Sequence, residues 1–390
     1  MEQLSLTLLA SRFLNQKQEP IFIALCLVFL FIIYKAYLQV SSSSEIYLVD
    51  YSCLKPPNYW RVPFSSFLEH SRIVHSLDQE SVDFMSKVLV SSGQSQKTCI
   101  PPPLHYIPPR STHEDAINEA QIVLFPVFED LLSKTQLSPL DIDIIIVNCS
   151  GFCTSPSLSS IIVNRFSMRE DIKSFNISGM GCSASALAVD MARNLLKVHK
   201  NSNAVILSTE ILSNDSKGFI GVTLKKDVLH VAGELLRSNF HVLGSSILPL
   251  EEKIRYGFSV IRKKLLDKST ELYVPNFRKV IQHYCLPTSG KGVIMEIKRK
   301  MKLKEEEVEA ALMTLHRFGN QSSSSLWYEL AYMEGKERVK QGERVLQLGM
   351  GTGPKCISLV WECNRPIVGE SDKGPWADSI NSYPVYCCFA

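Results

Sequence analysis

The feature that most limits the fold of this chain is a glycine turn that leads into an apolar helix pattern. The segment Asn176-Ile-Ser-Gly-Met-Gly-Cys-Ser-Ala184 delivers Cys182 to the first turn of a predicted helix, Ser183 to His199. Gly179 and Gly181 give the turn a backbone freedom that other residues lack. Strand and helix patterns alternate along the chain around this turn, which predicts α/β layers.

The position of Cys182 at a predicted helix N-terminus has a chemical consequence. Unpaired N–H groups and the positive end of the helix dipole favour the thiolate form of a cysteine. A thiolate held in this way is a nucleophile for acyl transfer. A small buried cysteine beside a turn explains the same spacing equally well, so the spacing alone leaves both interpretations open.

Buried strands and amphipathic helices account for most of the remaining pattern. Continuous apolar runs predict strands at Ile144–Asn148 and Ala204–Thr209, as expected when both faces of a sheet are covered. A shorter strand is predicted at Ile46–Asp50. The chain has 390 residues and a hydrophobic content of 45%, which suffices for two similar domains. Helices are predicted over Glu114–Leu132, Leu158–Met168, Leu224–Leu235, Ile254–Leu266, Glu305–His316 and Leu326–Lys340.

Charge and cysteine usage exclude several classes of protein. The net charge is +3 and the basic residues are spread along the chain, which gives no sign of a nucleic-acid partner. Eleven cysteines at irregular spacings include no Cys-X-X-Cys pair. Such a set argues against a disulfide framework or a metal site, and it fits reduced thiols that face the cytosol.

An apolar run near the start of the chain predicts a membrane anchor. Ile21–Tyr34 contains fourteen residues without a charge. Counting on to Val40 gives the roughly twenty residues that a spanning helix needs. We expect a retained anchor rather than a cleaved signal peptide, because no small-residue cleavage site stands out after it. The basic amphipathic segment Ile254–Leu266 is a second candidate for membrane contact, although a solvated helix face is the preferred interpretation.

A glycine-rich loop lies near the end of the chain. Gly349, Gly351 and Gly353 separate two predicted strands, Val345–Leu348 and Cys356–Trp361. The loop resembles the first motif of nucleotide-fold methyltransferases, but a strand rather than a helix follows it, which argues against that class. Two interpretations remain, a plain hairpin loop or a loop that offers its N–H groups to an oxyanion at an active site.

A second polar cluster combines a histidine with an asparagine. His316 and Asn320 are four residues apart, and Gly319 predicts that the helix ends between them. A histidine and an amide can together donate hydrogen bonds to a carbonyl that becomes an enolate. His283 is a further candidate. For both histidines the alternative is a buried or capping structural role.

Taken together, these motifs closely resemble the plant 3-ketoacyl-CoA synthases, the condensing enzymes of very-long-chain fatty acid elongation. The resemblance implies a thiolase-like fold of two similar α/β halves, usually paired as a dimer. It divides the chain into a membrane anchor region (1–43), a first half (44–214), a second half (215–368) and a C-terminal tail (369–390). The most specific pieces are Val147–Ser150, Pro156–Ser159, Gly179–Ala184, Ser208–Glu210 and Met313–Ala331.

The resemblance also implies a two-stage reaction without a metal or a redox cofactor. Cys182 takes a long acyl group from acyl-CoA as a thioester. Malonyl-CoA then loses CO2, and its enolate attacks that thioester to give 3-ketoacyl-CoA. Asn320 falls on the asparagine that holds the malonyl thioester oxygen, and His316 and His283 fall on two further active-site histidines.

The same resemblance sets the expected partners and location. Long-chain acyl-CoA and malonyl-CoA are the expected substrates. The family is anchored in the endoplasmic reticulum membrane with its catalytic part in the cytosol. Related synthases and other elongase subunits are the expected protein partners.

Two departures from the family pattern stand out. The family motif His-Ala-Gly-Gly-Arg maps to Pro287-Thr-Ser-Gly-Lys291, so Pro287 replaces the decarboxylation histidine and offers no donor. Several dozen family residues, among them another active-site histidine, are missing after Ile211. The alternative function is therefore a catalytically impaired relative that binds and regulates active condensing enzymes, and a tethered scaffold is a third. Cys387 matches a prenylation motif only loosely, and we treat it as a chance match.

Overall fold

The computed structural model describes residues 27–29, 31, 45–73, 78–213, 228–265, 272–353 and 355–385. Ten of the fourteen residues of the predicted anchor, Ile21–Tyr34, lie outside these ranges, as does Cys387. Among the described helices, none is long and apolar enough to cross a membrane. The chain divides into two compact units, and residues 48–196 with 201–390 form the larger one. The predicted boundary between 214 and 215 falls outside the described ranges.

Three parallel strands form the first sheet, in the order β2–β1–β3. Their bounds are Ile144–Asn148 for β1, Lys173–Ile177 for β2 and Ala204–Ser208 for β3. Strand β1 is buried throughout, with Ile145 packed into one apolar cluster and Ile146 into another. Successive side chains of a strand point to opposite faces, so β1 is covered on both sides. The two predicted buried strands are confirmed.

Helices cover both faces of this sheet. Thr112 and Asp115 form a capping box at the first turn of a long helix, His113–Thr135, which satisfies N–H groups at the helix start. This helix and the next one pack on one face of the sheet, and the helix after the cysteine turn packs on the other. The helices in this part are α1 Phe64–Ile73, α2 Gln79–Ser91, α3 His113–Thr135, α4 Leu158–Arg165 and α5 Ala184–Val198.

The second sheet contains β4 (His283–Cys285), β5 (Arg344–Gly351) and β6 (Lys355–Glu362). Strand β5 runs parallel to β4 and antiparallel to β6. The glycine-rich segment is thus part of a hairpin, which was one of the two interpretations of the sequence. The helices in this part are α6 Val228–Ile247, α7 Leu250–Leu265, α8 Lys291–Met301, α9 Glu305–Phe318 and α10 Ser325–Gly335.

Some predicted elements differ from the structure. The strand predicted at Ile46–Asp50 is wrong, because residues 45–57 form no regular element. Val49 is 60% exposed there, so this apolar run has no sheet neighbour that would bury it. Helix α10 ends at Gly335 rather than Lys340, and glycine is a common residue at helix ends.

Candidate active site

The nucleophile candidate lies in a short 3-10 turn at the entrance to α5. The turn spans Gly181–Ser183, and Cys182 in its middle is half-buried. Gly181 has a φ of +58°, a region that side chains rarely adopt. Helix α5 begins at Ala184, which confirms the predicted helix after the turn. The thiol is therefore presented at the start of a helix and remains accessible to solvent.

The glycines of β5 allow the second sheet to pack directly against this turn. A Cβ atom at Gly351 would lie 2.1 Å from the carbonyl oxygen of Met180, so only glycine fits. At Gly349 the contact is looser, since a Cβ atom there would lie 3.3 Å from Ser183 Cα, and Thr352 Oγ1 donates to Gly179 O at 2.9 Å. The close packing of β5 against the cysteine turn explains why Gly349 and Gly351 carry no side chain. Gly353, by contrast, lies in the hairpin connection beyond β5, where a Cβ atom would meet only Lys355 Nζ, at 3.5 Å.

The thiol of Cys182 lies next to a serine hydroxyl, and that hydroxyl lies next to a glutamate carboxylate. Ser322 Oγ lies 3.3 Å from Cys182 Sγ and 3.1 Å from Glu210 Oε1. The other carboxylate oxygen of Glu210 accepts hydrogen bonds from the N–H groups of Ser150, at 2.9 Å, and Gly151, at 3.1 Å. These contacts fix Glu210 and, through it, the hydroxyl group of Ser322.

One hydroxyl proton serves both contacts of Ser322, which allows the group to carry a proton between them. When the hydroxyl donates to Glu210, its oxygen is free to accept the S–H proton of Cys182. When Cys182 is a thiolate, the same hydroxyl can donate to sulfur instead. Ser322 also has a left-handed φ of 56°, a conformation that is costly for a residue with a side chain and is found at functional sites.

The serine run after α9 joins this site to the first sheet. Ser323 Oγ donates to Asn148 Oδ1 at 3.1 Å, and Ser324 Oγ donates to Ser208 O at 2.8 Å. Asn148 Nδ2 donates in turn to Ser208 Oγ at 2.7 Å. Because β1 and β3 are parallel, Asn148 and Ser208 lie at the same edge of the sheet. The site therefore sits at the carboxyl ends of these strands.

Asn320 lies next to Ser322 and is exposed. Its Oδ1 accepts a hydrogen bond from the backbone N–H of Ser322 at 2.8 Å. The Nδ2 hydrogens are then the donors that remain for a ligand. Helix α9 ends at Phe318, and Gly319 with a φ of 77° follows, so the predicted helix end between His316 and Asn320 is confirmed.

Pro287 lies at the matching edge of the second sheet. It lies two residues after the end of β4 and is buried, and β4 is parallel to β5, whose far end contacts the cysteine turn. Thr288 Oγ1, one residue later, donates to Ser325 Oγ at 2.6 Å, next to the serines that hold the site. The structure thus places Pro287 on the Cys182 side of the second sheet.

His283 lies at the opposite end of the same sheet. It pairs in register with Val345, and its Nε2 lies 2.7 Å from Glu343 Oε2. Four residues of β5 separate Val345 from Gly349, which corresponds to about 13 Å along an extended strand. The structure does not bring His283 together with Cys182.

His316 contacts the C-terminal segment rather than the thiol. Its Nδ1 lies 3.0 Å from the hydroxyl of Tyr383, and the two rings pack edge to face. Burial lowers the pKa of His316, with a smaller contribution from the charge of Lys97. The imidazole is therefore held neutral next to a phenol, an arrangement that agrees with the structural alternative. The catalytic roles of both histidines stay predictions.

Sequence reasoning did not assign a role to Ser322 or Glu210. Both lie within stretches that carry the family resemblance, Ser208–Glu210 and Met313–Ala331. Their contact joins positions 112 residues apart, and no spacing rule connects them. In the sequence, each of the two residues lies where an apolar segment gives way to polar residues near a predicted turn. This pattern was the available signal for a site.

The fold defines a class, the thiolase-like proteins. The structure is similar to a fungal type III polyketide synthase, with a TM-score of 0.59, 12% identity and coverage of 78% of this chain and 97% of that one. It is also similar to 1,3,6,8-tetrahydroxynaphthalene synthase from Streptomyces coelicolor, with a TM-score of 0.58, 15% identity and coverage of 81% and 100%. These likenesses establish the thiolase-like fold.

The chain belongs to the plant 3-ketoacyl-CoA synthase family, whose members are acyltransferases of the condensing type. It is 42% identical to 3-ketoacyl-CoA synthase 5 of Arabidopsis thaliana over 96% of this chain and 88% of the relative. It is 41% identical to 3-ketoacyl-CoA synthase 6 of the same plant, over 95% and 87%.

Family models place the match along the chain. The FAE1/Type III polyketide synthase-like protein model matches residues 38–215 and 211–265. The C-terminal model of 3-oxoacyl-[acyl-carrier-protein] synthase III matches residues 278–363. The two matched segments of the first model meet at 211–215, which is where the sequence predicts that family residues are missing. The alignment to synthase 5 spans 435 positions, more than the chain contains.

Proposed function

We propose that the chain condenses a long-chain acyl-CoA with malonyl-CoA to give a 3-ketoacyl-CoA in very-long-chain fatty acid elongation. The observation that carries this proposal is the placement of Cys182. An accessible thiol stands at the start of α5, with the hydroxyl of Ser322 beside it and the Glu210 carboxylate behind that hydroxyl. This is the arrangement of a nucleophile with a proton acceptor within reach.

In the first step, Cys182 sulfur attacks the thioester carbonyl of acyl-CoA, and the thiolate of coenzyme A leaves. The proton of the cysteine passes to Ser322 Oγ while the proton of Ser322 passes to Glu210 Oε1. Glu210 then returns the proton to Ser322 Oγ, whose own proton passes to the leaving thiolate of coenzyme A to give the free thiol. The step needs neither a metal nor a redox cofactor.

In the second step, malonyl-CoA loses CO2, and the enolate carbon attacks the acyl thioester and releases Cys182. Asn320 Nδ2 is the donor proposed for the thioester oxygen that carries the enolate charge. A single amide donor stabilises such an oxygen less than a pair of donors. Because Pro287 has no donor to add, decarboxylation is the weak step of this chain.

The proposed setting follows the family. The chain is held at the endoplasmic reticulum membrane by residues 1–43 and has its catalytic part in the cytosol. It acts as a homodimer, or as a heterodimer with related synthases, together with other elongase subunits.

A second candidate function is a catalytically impaired relative that binds and regulates active condensing enzymes. The buried Pro287 on the Cys182 side of the second sheet favours it. In that case the chain keeps its fold and its partner surfaces but forms no carbon–carbon bond.

Product analysis tests the first candidate. The full chain in detergent is incubated with a long-chain acyl-CoA and isotopically labelled malonyl-CoA, and Cys182→Ala is the control. Labelled 3-ketoacyl-CoA from the natural chain, absent from the variant, supports synthase activity. Absence of product from both would leave the regulatory function.

A further inference from the structure

Helix α7 presents an apolar stripe to the outside of the protein. A surface helix of a globular protein normally turns its apolar stripe toward the core. In α7, Leu250, Ile254, Phe258 and Ile261 are 71%, 48%, 68% and 54% exposed. Residues at these spacings share one helix face. This face is solvent-exposed but not polar, unlike the ordinary solvated face that the sequence favoured.

The inward side of α7 is polar instead. Glu252 is 1% exposed, and its carboxylate accepts hydrogen bonds from Tyr273 OH, at 2.8 Å, and from the N–H of Asn276, at 2.9 Å. Lys279 Nζ forms an ion pair with it at 2.8 Å. Ser259 Oγ accepts a further bond from the N–H of Tyr273 at 3.2 Å. Polar contacts thus hold α7 to the rest of the protein, and the apolar stripe takes no part in them and stays exposed.

Basic residues border the stripe on both sides. At 100° per residue, Arg255 and Arg262 lie along one border, and Lys253 and Lys264 lie along the other. Glu251 lies on the same border as the two arginines and pairs with Arg255 at 2.6 Å, so the net positive charge of the borders comes from Arg262, Lys253 and Lys264. Within the described part of the chain, Arg262 and Lys264 form no ion pair. The outward surface of α7 is therefore apolar along its middle and positively charged along its borders.

We propose that α7 lies in the plane of an anionic membrane surface. A lipid surface provides acyl chains for the apolar stripe and phosphate groups for the basic borders. A helix with this division of residues buries its apolar side at the boundary between headgroups and acyl chains. The inference extends the proposed membrane location and makes no demand on the condensation chemistry.

Tryptophan fluorescence tests this contact directly. Phe258→Trp is placed in the full chain and reconstituted into vesicles that contain phosphatidylserine, with or without bromine on the acyl chains. Tyr59→Trp is the matched control, since Tyr59 is an aromatic residue that is 75% exposed on another surface. The signal of the natural tryptophans is subtracted with the unsubstituted chain, and sedimentation verifies that each variant is in the vesicles.

The proposal predicts that brominated lipids strongly quench the indole introduced by Phe258→Trp and weakly quench the one introduced by Tyr59→Trp. Adding Arg262→Gln and Lys264→Gln to the first variant should remove most of its quenching. Equal, weak quenching in both variants, in vesicles that hold the protein, overturns the proposal. So does a blue-shifted emission from the Phe258→Trp chain that bromine does not quench, because that result indicates a second protein copy on this face. Acylation of Cys182, measured on the same samples, reports on the catalytic proposal separately.

Discussion

The two sheets end next to the same cysteine but bring different chemistry to it. The edge of the first sheet provides Asn148, Ser208 and Glu210, all joined by hydrogen bonds to the serines beside the thiol. The edge of the second sheet provides Pro287, which can donate nothing. Under the proposed mechanism, acyl transfer relies on the groups of the first sheet, and decarboxylation lacks the donor that Pro287 replaces, so acyl transfer can persist when decarboxylation is weakened.

The largest expected effect comes from replacing Pro287 at the edge of the second sheet. Pro287→His, in a chain that also carries the missing family segment after Ile211, should raise the rate of malonyl-CoA decarboxylation about 100-fold to 1000-fold, the usual value of one oxyanion donor. Release of CO2 is the measurement.

Pro287→Ala is the matched control, because it removes the proline ring without adding a donor and should give no gain. Decarboxylation that is already fast with proline would contradict the proposed division of labour between the sheets.

A change in the second sheet, where β5 contacts the cysteine turn, should act through packing. Gly351→Ala places a methyl group 2.1 Å from Met180 O, so the cysteine turn must shift. We expect a loss of about 3 kcal/mol in the free energy of unfolding, together with a loss of Cys182 acylation. Denaturant unfolding in detergent gives the first quantity.

Gly292→Ala is the control for this change, since a Cβ atom at Gly292 in α8 meets nothing within 4 Å. Equal stability of the two variants would mean that the turn does not depend on close contact with β5.

Removing the hydroxyl beside the thiol sharpens the comparison further. Ser322→Ala should slow the acylation of Cys182 about tenfold, which corresponds to about 1.4 kcal/mol and to one hydrogen bond to a charged group. It should also slow the alkylation of Cys182 by iodoacetamide at neutral pH. Ser324→Ala, whose hydroxyl bonds to Ser208 O, should leave both rates unchanged. Equal rates in all three chains would remove Ser322 from the proton path.

The smallest expected effect concerns Glu329, a buried carboxyl group that contacts Leu286, the residue before Pro287. Burial raises the pKa of Glu329 well above its usual range, while Leu286 N–H donates to Oε2 at 2.7 Å. The folded chain keeps this proton, but the unfolded chain gives it up above about pH 4.3. Stability associated with Glu329 is therefore present below that pH and is lost as pH rises.

Glu329→Gln should for this reason be more stable than the natural chain at neutral pH by about 1 kcal/mol, and the advantage should vanish near pH 4. Thermal unfolding over a pH series is the measurement. Cys182 acylation should be unaffected, since the carboxyl group of Glu329, in α10, contacts Leu286 N–H and not the serines beside the thiol. A stability difference that does not change with pH would mean that Glu329 is ionised in the folded chain.

Much of this fold follows from local sequence. The run Ile144–Val147 is apolar at every position because helices cover both faces of its sheet. The glycine turn and the helix after Cys182 follow from backbone requirements that few other residues meet. The strand predicted at Ile46–Asp50 failed because an apolar run does not reveal whether a sheet partner exists.

The site was less open to prediction. Cys182 was recognisable because its environment is local, a turn and a helix start. The contact of Ser322 with Glu210 depends on how two distant segments pack, which the order of residues does not encode locally. The resemblance grouped His283 with the active site, yet the register of β4 with β5 places it at the other end of the sheet.

The central claim is that Cys182 accepts an acyl group. Mass analysis of the Cys182 peptide after exposure of the full chain to a long-chain acyl-CoA tests it most directly, with Cys182→Ala as control and thermal unfolding to verify that both samples are folded. The account predicts an acyl adduct on that peptide and none on the variant. A folded natural chain without an adduct would contradict it.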